Sequence, residues 1–256
     1  MKKITRSNIG KIFHETTCFK RSATVRKPEI ECPPLYKDYT EKRQFELPYP
    51  DTSKGPKIWD AILMRRSRRE FARSPIEQKE LSLLLWAAQG KTGTASDHRE
   101  LRAAPSAGAR YPIETYVAVN HVKKMFTGVY HYNLRGHSLS LLYSKDVIAD
   151  LVNISIEQEF VYNSAVVFIW TAVVDRCRSK YGERAFRYMY LDAGHIGQNL
   201  LLAAQALGLY SCPIGALYDD EANAFVKADG DNEVVVYMAA VGNPDEPEHP
   251  GSDNAV

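Results

Sequence analysis

The chain has 256 residues, of which 45% are hydrophobic and 25% are charged, a composition typical of a folded domain with a large core. This composition excludes collagen-like fibres and wholly disordered chains. The 33 Lys and Arg nearly balance the 31 Asp and Glu, so the net charge of +2 predicts neither nucleic acid nor an anionic membrane as a partner.

Cysteine usage and apolar runs indicate where the protein is located. The four cysteines are widely spaced and form no CxxC pair, so we expect reduced thiols and a cytoplasmic protein. The longest apolar run, residues 165–174, is about half of the roughly 20 residues that a membrane-spanning helix requires. The sequence therefore predicts a protein that does not enter a membrane.

The two ends of the chain differ from its body in charge and in proline content. Residues 1–57 carry 13 basic against 7 acidic side chains and hold six of the 13 prolines. We predict that they form an extended arm, and six aromatic side chains indicate that this arm packs against a surface. Residues 219–256 carry ten acids and one Lys, and residues 244–256 are predicted to form an acidic tail.

Three helices are predicted in the body of the chain, residues 58–243. The first covers residues 58–65. The second has Ser74 as its N-cap, Pro75 at its first helical position and Glu77 completing a capping box, and it ends at Gly90. The third and longest is predicted over Glu183–Leu207.

Five strands are predicted from alternating or β-branched apolar residues. They are Thr115–Asn120, Val129–Asn133, Ser138–Leu142, Ala165–Val174 and Glu233–Val241. The second and third form a hairpin, and the fourth is apolar on both faces, as a central strand should be. Two groups of strands separated by helices indicate an α+β fold rather than a doubly wound parallel sheet.

Several common site motifs do not occur in the sequence. No GxGxxG follows a strand, so a tightly held dinucleotide in a Rossmann domain is not expected. Neither a GxSxG elbow nor an HExxH motif is present, and the seven histidines show no metal-ligand spacing. We therefore predict no metal site, and we expect His131 and His137 at the surface of the hairpin.

An arginine cluster at residues 65–69 is the first segment that could carry chemistry. Its sequence is Arg-Arg-Ser-Arg-Arg. Each guanidinium offers paired planar donors and stays charged at physiological pH, so the cluster could hold a phosphate. The alternative is an ordinary solvated basic face.

Small residues next to proline form two more candidate segments. They are Pro105, Ser106, Ala107 and Gly108, followed later in the chain by Pro213, Ile214, Gly215 and Ala216. Such residues let the backbone pass close to a flat ligand. The alternative for both segments is a plain turn.

The last candidate is the pair Lys180 and Tyr181, which lies between the predicted central strand and the longest helix. Free lysine and tyrosine side chains titrate near pH 10. This pair could therefore accept a proton at neutral pH only in an environment that lowers one of their pKa values. The alternative is two exposed residues at the start of a helix.

The order of these segments resembles the nitroreductase superfamily. Arg-Arg-Ser-x-Arg-x-Phe is followed by Pro-Ser-Ala-Gly-Ala-Arg, by Lys-Tyr-Gly-Glu-Arg-Ala-Phe-Arg-Tyr and by Pro-Ile-Gly-Ala, within residues 58–243. Inside that superfamily the chain is similar to azoline dehydrogenases of the SagB and cyanobactin oxidase (ThcOx) type. The arm, with Phe-His-Glu-Thr-Thr at residues 13–17, also resembles the leader of that subgroup.

This resemblance implies a fold, a cofactor and an activity. The fold would be an α+β three-layer sandwich, forming an intertwined homodimer with two active sites at the subunit interface and with the arm around the dimer. The enzyme would be an FMN-dependent oxidoreductase that transfers hydride between a substrate carbon and flavin N5. The substrate would be a small molecule or a peptide whose azoline ring is oxidised to an azole.

Roles for the candidate residues follow from the same resemblance. Arg65, Arg66, Ser67 and Arg69 would hold the FMN phosphate. Pro105, Ser106, Ala107 and Gly108 would line the isoalloxazine from the partner subunit, and Pro213, Ile214, Gly215 and Ala216 would approach flavin N5, where a hydrogen-bond donor suits hydride acceptance. Lys180 and Tyr181 would deprotonate the carbon next to the ring nitrogen.

Two alternatives remain open. One is an NAD(P)H-dependent nitroreductase or quinone reductase, with the nicotinamide bound transiently over the flavin. The other is a non-catalytic anion-binding or interaction module that uses the arginine cluster as its surface. One departure from the family pattern is that residues 242–256 contain no Lys or Arg, so the complete phosphate site is not defined by the sequence.

Overall fold

The structure is a computed structural model that describes residues 4–21 and 28–245. The helices are α1 (Ile9–Thr16), α2 (Ile58–Met64), α3 (Gln78–Gln89), α4 (Ile148–Ile154), α5 (Val174–Tyr181), α6 (Ala185–Ala206) and α7 (Asp219–Val226). The strands are β1 (Gln44–Glu46), β2 (Phe71–Ala72), β3 (Lys91–Thr94), β4 (Glu100–Arg102), β5 (Ile113–Val119), β6 (Gly128–Asn133), β7 (Ser138–Tyr143), β8 (Val166–Val173), β9 (Tyr210–Ile214) and β10 (Glu233–Pro244).

An antiparallel sheet forms the centre of the molecule. Its strands lie in the order β1-β7-β6-β5-β8-β10-β2, and β9 pairs with β10. The apolar strand predicted over Ala165–Val174 is the central β8, and the predicted hairpin is β6 and β7. The short hairpin of β3 and β4 lies outside this sheet. The predicted α+β class is confirmed.

Helices cover both faces of the sheet, which gives three layers. Alternate residues of β8 point to opposite faces. Phe168 and Trp170 pack against α3 and α6, while Val167 and Ile169 pack in the second core with α4 and α7. Because both faces are buried, β8 is apolar without strict alternation, and every residue of β5 is buried.

The structure corrects the predicted start of α3. The helix begins at Gln78 with Glu77 as N-cap, and the capping box joins Glu77 to Glu80. Ser74 instead accepts a hydrogen bond from Asn243, and Ile76 bridges to Val122. The predicted N-cap, Ser74, is therefore three residues before the observed one, Glu77, because residues 74–76 make tertiary contacts.

Other differences arise where short elements lack a periodic signal. The sequence prediction missed α5, and the long helix begins at Ala185 after a 3-10 turn at Gly182–Arg184. The arm, predicted to be extended, contains α1 and β1. His131 was expected at the surface but is buried, with 2% of its surface exposed. The predicted acidic tail lies outside the described residues from residue 246 onward.

Candidate active site

Lys180 and Tyr181 converge on Gly108 within one chain. Both residues end α5, which follows the central strand directly, and Lys180 Nζ lies 5.4 Å from the centroid of the Tyr181 ring. A methyl group at Gly108 would overlap Lys180 Nζ, at 2.5 Å, and Tyr181 Oη. Gly108 also has φ of +58°, a conformation that favours glycine. The ammonium and the phenol therefore meet at the backbone of the Pro105–Gly108 segment.

The Pro105–Gly108 segment is held by a carboxylate of the long helix α6. Ser106 Oγ donates to Asp192 Oδ2 at 2.6 Å, and the Ala107 N–H donates to Asp192 Oδ1 at 3.2 Å. The Tyr111 N–H in turn donates to Ser106 Oγ at 2.9 Å. Burial raises the pKa of the Asp192 carboxyl, and its bonds with Ser106 and Ala107 oppose that rise.

The arginine cluster lies between α2 and β2, beside β9. The Arg68 N–H donates to the Ser211 carbonyl at 3.0 Å, which fixes the segment to the sheet edge. Arg66 donates to the carbonyls of Leu63 and Arg65, so part of its guanidinium serves the end of α2. Among residues 4–21 and 28–245, no side chain or carbonyl accepts a hydrogen bond from the guanidinium of Arg65 or Arg69.

The segment Pro213–Ala216 continues from the same strand β9. Gly215 and Ala216 are exposed, and Gln158 donates to the Ala216 carbonyl. In the part of the chain that the structure describes, nothing accepts a hydrogen bond from the backbone N–H of Gly215 or Ala216. These two groups can donate to a ligand.

The candidate residues form two groups at different levels along the sheet: the arginine cluster with the segment Pro213–Ala216, which follows Ser211, and the pair Lys180 and Tyr181 with Gly108. Ser211, which holds Arg68, pairs with Val241 beside Val166 at the start of β8. Lys180 and Gly108 lie beyond the other end, where Val173 donates to the Pro112 carbonyl. Seven residues of strand at about 3.3 Å each separate the two levels by roughly 23 Å. One chain therefore does not bring the arginine cluster to the Lys180 pair.

The donor set of the first group fits a flavin mononucleotide. The guanidinium groups of Arg65 and Arg69, which donate no hydrogen bond within the described chain, suit a phosphate, and the N–H groups of Gly215 and Ala216 just after β9 suit a polar edge of a flat ring. From Ser211 to Gly215 the backbone spans about 13 Å.

No group of three or more His, Cys, Asp or Glu suited to a metal ion occurs in the described residues. No described helix has the length and apolarity needed to cross a membrane.

Sequence reasoning assigned no role to two residues around this site. For Asp192, the available signal was its charge among the apolar residues of α6. Arg176 is buried and donates to the Tyr111 carbonyl, three residues after Gly108. Nothing in the sequence separates Arg176 from the exposed arginines near it.

Comparisons with known proteins show which sequences this chain is similar to. Residues 62–243 match the nitroreductase family. A nitroreductase-family protein of Methanocaldococcus jannaschii is 38% identical over 183 residues, which cover 72% of this chain and 90% of the relative. The trifolitoxin-processing protein TfxB of Rhizobium leguminosarum bv. trifolii is 37% identical over 141 residues, covering 50% of this chain but 37% of that protein.

Solved structures with the same fold include three informative neighbours. A nitroreductase-family protein from Anabaena variabilis superimposes with a TM-score of 0.79 and 25% identity, covering 95% of this chain and 49% of that one. The microcin synthetase McbBCD complex of E. coli, with truncated pro-MccB17 bound, gives 0.62 and 20%, covering 93% and 92%. A nitroreductase from Desulfovibrio desulfuricans in complex with FMN gives 0.53 and 18%, covering 78% and 92%.

Proposed function

The chain belongs to the nitroreductase family, and from this premise we propose that it is an FMN-dependent oxidoreductase of the SagB and ThcOx type. Its reaction is the oxidation of an azoline ring, in a peptide or a related substrate, to an azole. The observation that carries the proposal is the convergence of Lys180 and Tyr181 on Gly108, because azoline oxidation needs a proton acceptor close to the flavin. The similarity to TfxB, a protein named for processing trifolitoxin, supports a peptide substrate.

The cofactor would be held by the first group of residues. Arg65 and Arg69 would bind the FMN phosphate, with Arg66 and Ser67 beside them, and Gly215 and Ala216 would donate to the ring. Pro213 and Ile214 place those donors at the end of β9. Bound FMN supplies a two-electron acceptor for a hydride, and molecular oxygen is the expected terminal acceptor.

Lys180 and Tyr181 act on the proton that the substrate loses. Conversion of an azoline to an azole removes one proton and one hydride from adjacent ring carbons. Lys180 and Tyr181 take the proton from the carbon next to the ring nitrogen.

A complete site requires two copies of the chain. The arginine cluster and the Lys180 pair lie roughly 23 Å apart along β8 in one chain. In a homodimer, the flavin held by one subunit would contact a segment of the other subunit, Pro105, Ser106, Ala107 and Gly108. Lys180 and Tyr181 would lie behind that segment. We therefore propose that the active sites lie at the subunit interface.

Substitution of the proton acceptor tests the activity. Lys180→Ala and Tyr181→Phe should reduce azole formation from an azoline peptide by at least about a hundredfold, the usual scale of a lost general base. Flavin absorbance of the purified protein should be unchanged. The control Lys79→Ala removes the same charge from an exposed position on α3 and should have no effect.

NAD(P)H-dependent nitro reduction is the second candidate, favoured by the M. jannaschii relative. This reaction removes no proton from carbon, so it should persist in Lys180→Ala. Equal loss of nitro reduction and azole formation in that variant would contradict the role of Lys180 as proton acceptor. A colourless protein that takes up no added FMN would instead favour the anion-binding module.

A further inference from the structure

Arg176 is the most buried charged side chain near the candidate site, with 2% of its surface exposed. Its Nε donates to the Pro34 carbonyl at 2.7 Å. One terminal nitrogen donates to Glu114 Oε1 at 2.6 Å and to the Tyr111 carbonyl at 3.3 Å. A single guanidinium thus joins α5, β5, the arm and the loop of residues 104–112, which we call the Gly108 loop.

The position of Arg176 on α5 relates it directly to the reacting groups. It precedes Lys180 by four residues, so the two side chains rise from neighbouring positions on the helix. Its acceptor Tyr111 follows Gly108 by three residues. Arg176 therefore links the helix that carries Lys180 to the loop that Lys180 contacts.

The Gly108 loop needs such a link because its backbone is strained. Ala109 and Tyr111 have φ of +55° and +45°, values that non-glycine residues rarely adopt. Such conformations persist only where the surrounding contacts fix them. Asp192 fixes the loop at Ser106 and Ala107, and Arg176 fixes it at Tyr111.

A buried acid holds the guanidinium in place. Glu114 accepts from Arg176 on one carboxylate oxygen, and its other oxygen lies 2.8 Å from His131 Nε2. Burial acts to raise the pKa of Glu114, but the hydrogen bond and charge of His131 and the charge of Arg176 outweigh it and lower this pKa to about 2. Glu114 is therefore a carboxylate at neutral pH, and it orients Arg176.

The arm completes the set of acceptors. Pro34 presents its carbonyl to Arg176, and two residues that follow it, Tyr36 and Lys37, are anchored to the body of the chain. The guanidinium groups of Arg102 and Arg135 lie 5.3 and 3.8 Å from the Tyr36 ring centroid. Lys37 pairs with Glu233 at 2.5 Å. The arm thus contributes one of the three acceptors that hold the Arg176 guanidinium.

We propose that Arg176 is a positioning residue that fixes Lys180 and Tyr181 relative to the Gly108 loop. It does so by holding α5, the Tyr111 carbonyl and the arm carbonyl of Pro34 on one guanidinium. This inference rests on the proposed function for its effect on catalysis, but its effect on the loop does not depend on any substrate. Lysine has a single nitrogen and cannot reach all three acceptors, so charge alone cannot replace Arg176.

The test compares Arg176→Lys with the matched control Arg178→Lys. Arg178 lies two residues further along α5, is partly exposed and pairs with Asp175 and Glu183. On the purified holoprotein, amide hydrogen exchange of residues 104–112 should be about tenfold faster in Arg176→Lys and unchanged in the control. With an azoline peptide, kcat should fall about tenfold at nearly constant KM, with a larger isotope effect for deuterium at the carbon next to nitrogen.

The outcomes separate positioning from general structure. Unchanged loop exchange in Arg176→Lys would overturn the proposal, and so would a parallel loss of flavin, nitro reduction and azole formation. Faster loop exchange restricted to Arg176→Lys, with flavin content and nitro reduction retained, supports it. If the wild-type protein oxidises no azoline but loop exchange still increases in Arg176→Lys and not in the control, the positioning role of Arg176 is supported and the proposed function is contradicted.

Discussion

The ends of two reactive side chains, Lys180 and Tyr181, lie against the backbone of Gly108. Two independent constraints act there: a φ of +58° and contact of the missing methyl with Lys180 Nζ and Tyr181 Oη. The first constraint is an energy of about 1 kcal/mol for a non-glycine residue, while the second displaces the reacting groups themselves. Stability and activity should therefore respond differently to substitution here.

Gly108→Ala should lower azole formation by at least about tenfold because it moves Lys180 and Tyr181 from their positions. Gly208→Ala is the matched control, since Gly208 has φ of +71° but open space around its Cα. Both variants should lose about 1 kcal/mol of unfolding free energy in urea titrations, and the control should keep its activity. Full activity of Gly108→Ala would contradict the placement of the pair.

At the scale of elements, the start of α3 shows how tertiary contacts decide between competing caps. The sequence predicts a capping box of Ser74 with Glu77, whereas the structure forms one from Glu77 with Glu80. Ser74 is taken by Asn243 of β10, whose Nδ2 donates to its hydroxyl at 2.9 Å. The cap is therefore formed by Glu77 with Glu80, at the first turn that is free of sheet contacts.

Glu80→Ala should destabilise the protein by about 1 kcal/mol, because the backbone N–H of Glu77 loses its acceptor. The thermal midpoint should fall by about 2–4 °C, and amide exchange of residues 77–81 should increase. Lys79→Ala, one residue away and exposed, should change neither quantity. If Ser74→Ala accelerated exchange in these residues more than Glu80→Ala, the observed cap would be contradicted.

At the scale of the whole molecule, α2 and the middle of α6 present a large exposed apolar face. Its members are Ile58, Trp59, Ile62, Leu63, Met64, Tyr190 and Leu191, with Trp59 and Leu63 exposed by 73% and 71%. Apolar patches of this kind mark interaction surfaces. This face adjoins the arginine cluster at the end of α2, so a second copy seated here would complete the proposed flavin site.

Charge placed in this face should separate the subunits. Leu63→Glu and Leu191→Glu should sediment as monomers and lose flavin absorbance together, because the proposed site needs both chains. Tyr162→Glu changes an exposed aromatic residue beside α4, on the other face of the sheet, and should stay dimeric and yellow. A monomeric variant that retained stoichiometric FMN would contradict a shared site.

Much of the fold could be predicted from the sequence because its main elements carry strong local signals. β8 is a long β-branched run, the hairpin of β6 and β7 brackets a turn, and α6 has a sustained helical period. Short elements such as α1, α5 and β1 were missed, since two helical turns or three strand residues leave little periodicity. The positions of the candidate segments were also readable, because each combines unusual residue types over a few positions.

The residue types that could carry the chemistry can be identified from the sequence: an arginine cluster, two small-residue segments and a Lys-Tyr pair. Which of them meet depends on how the chain folds. Lys180 contacts Gly108, 72 positions earlier in the sequence, while the arginine cluster lies at the other end of β8. Arg176 is buried and Arg178 is not, although both are arginines of one helix. Their burial differs because the sheet, the loop and the arm surround Arg176 but not Arg178.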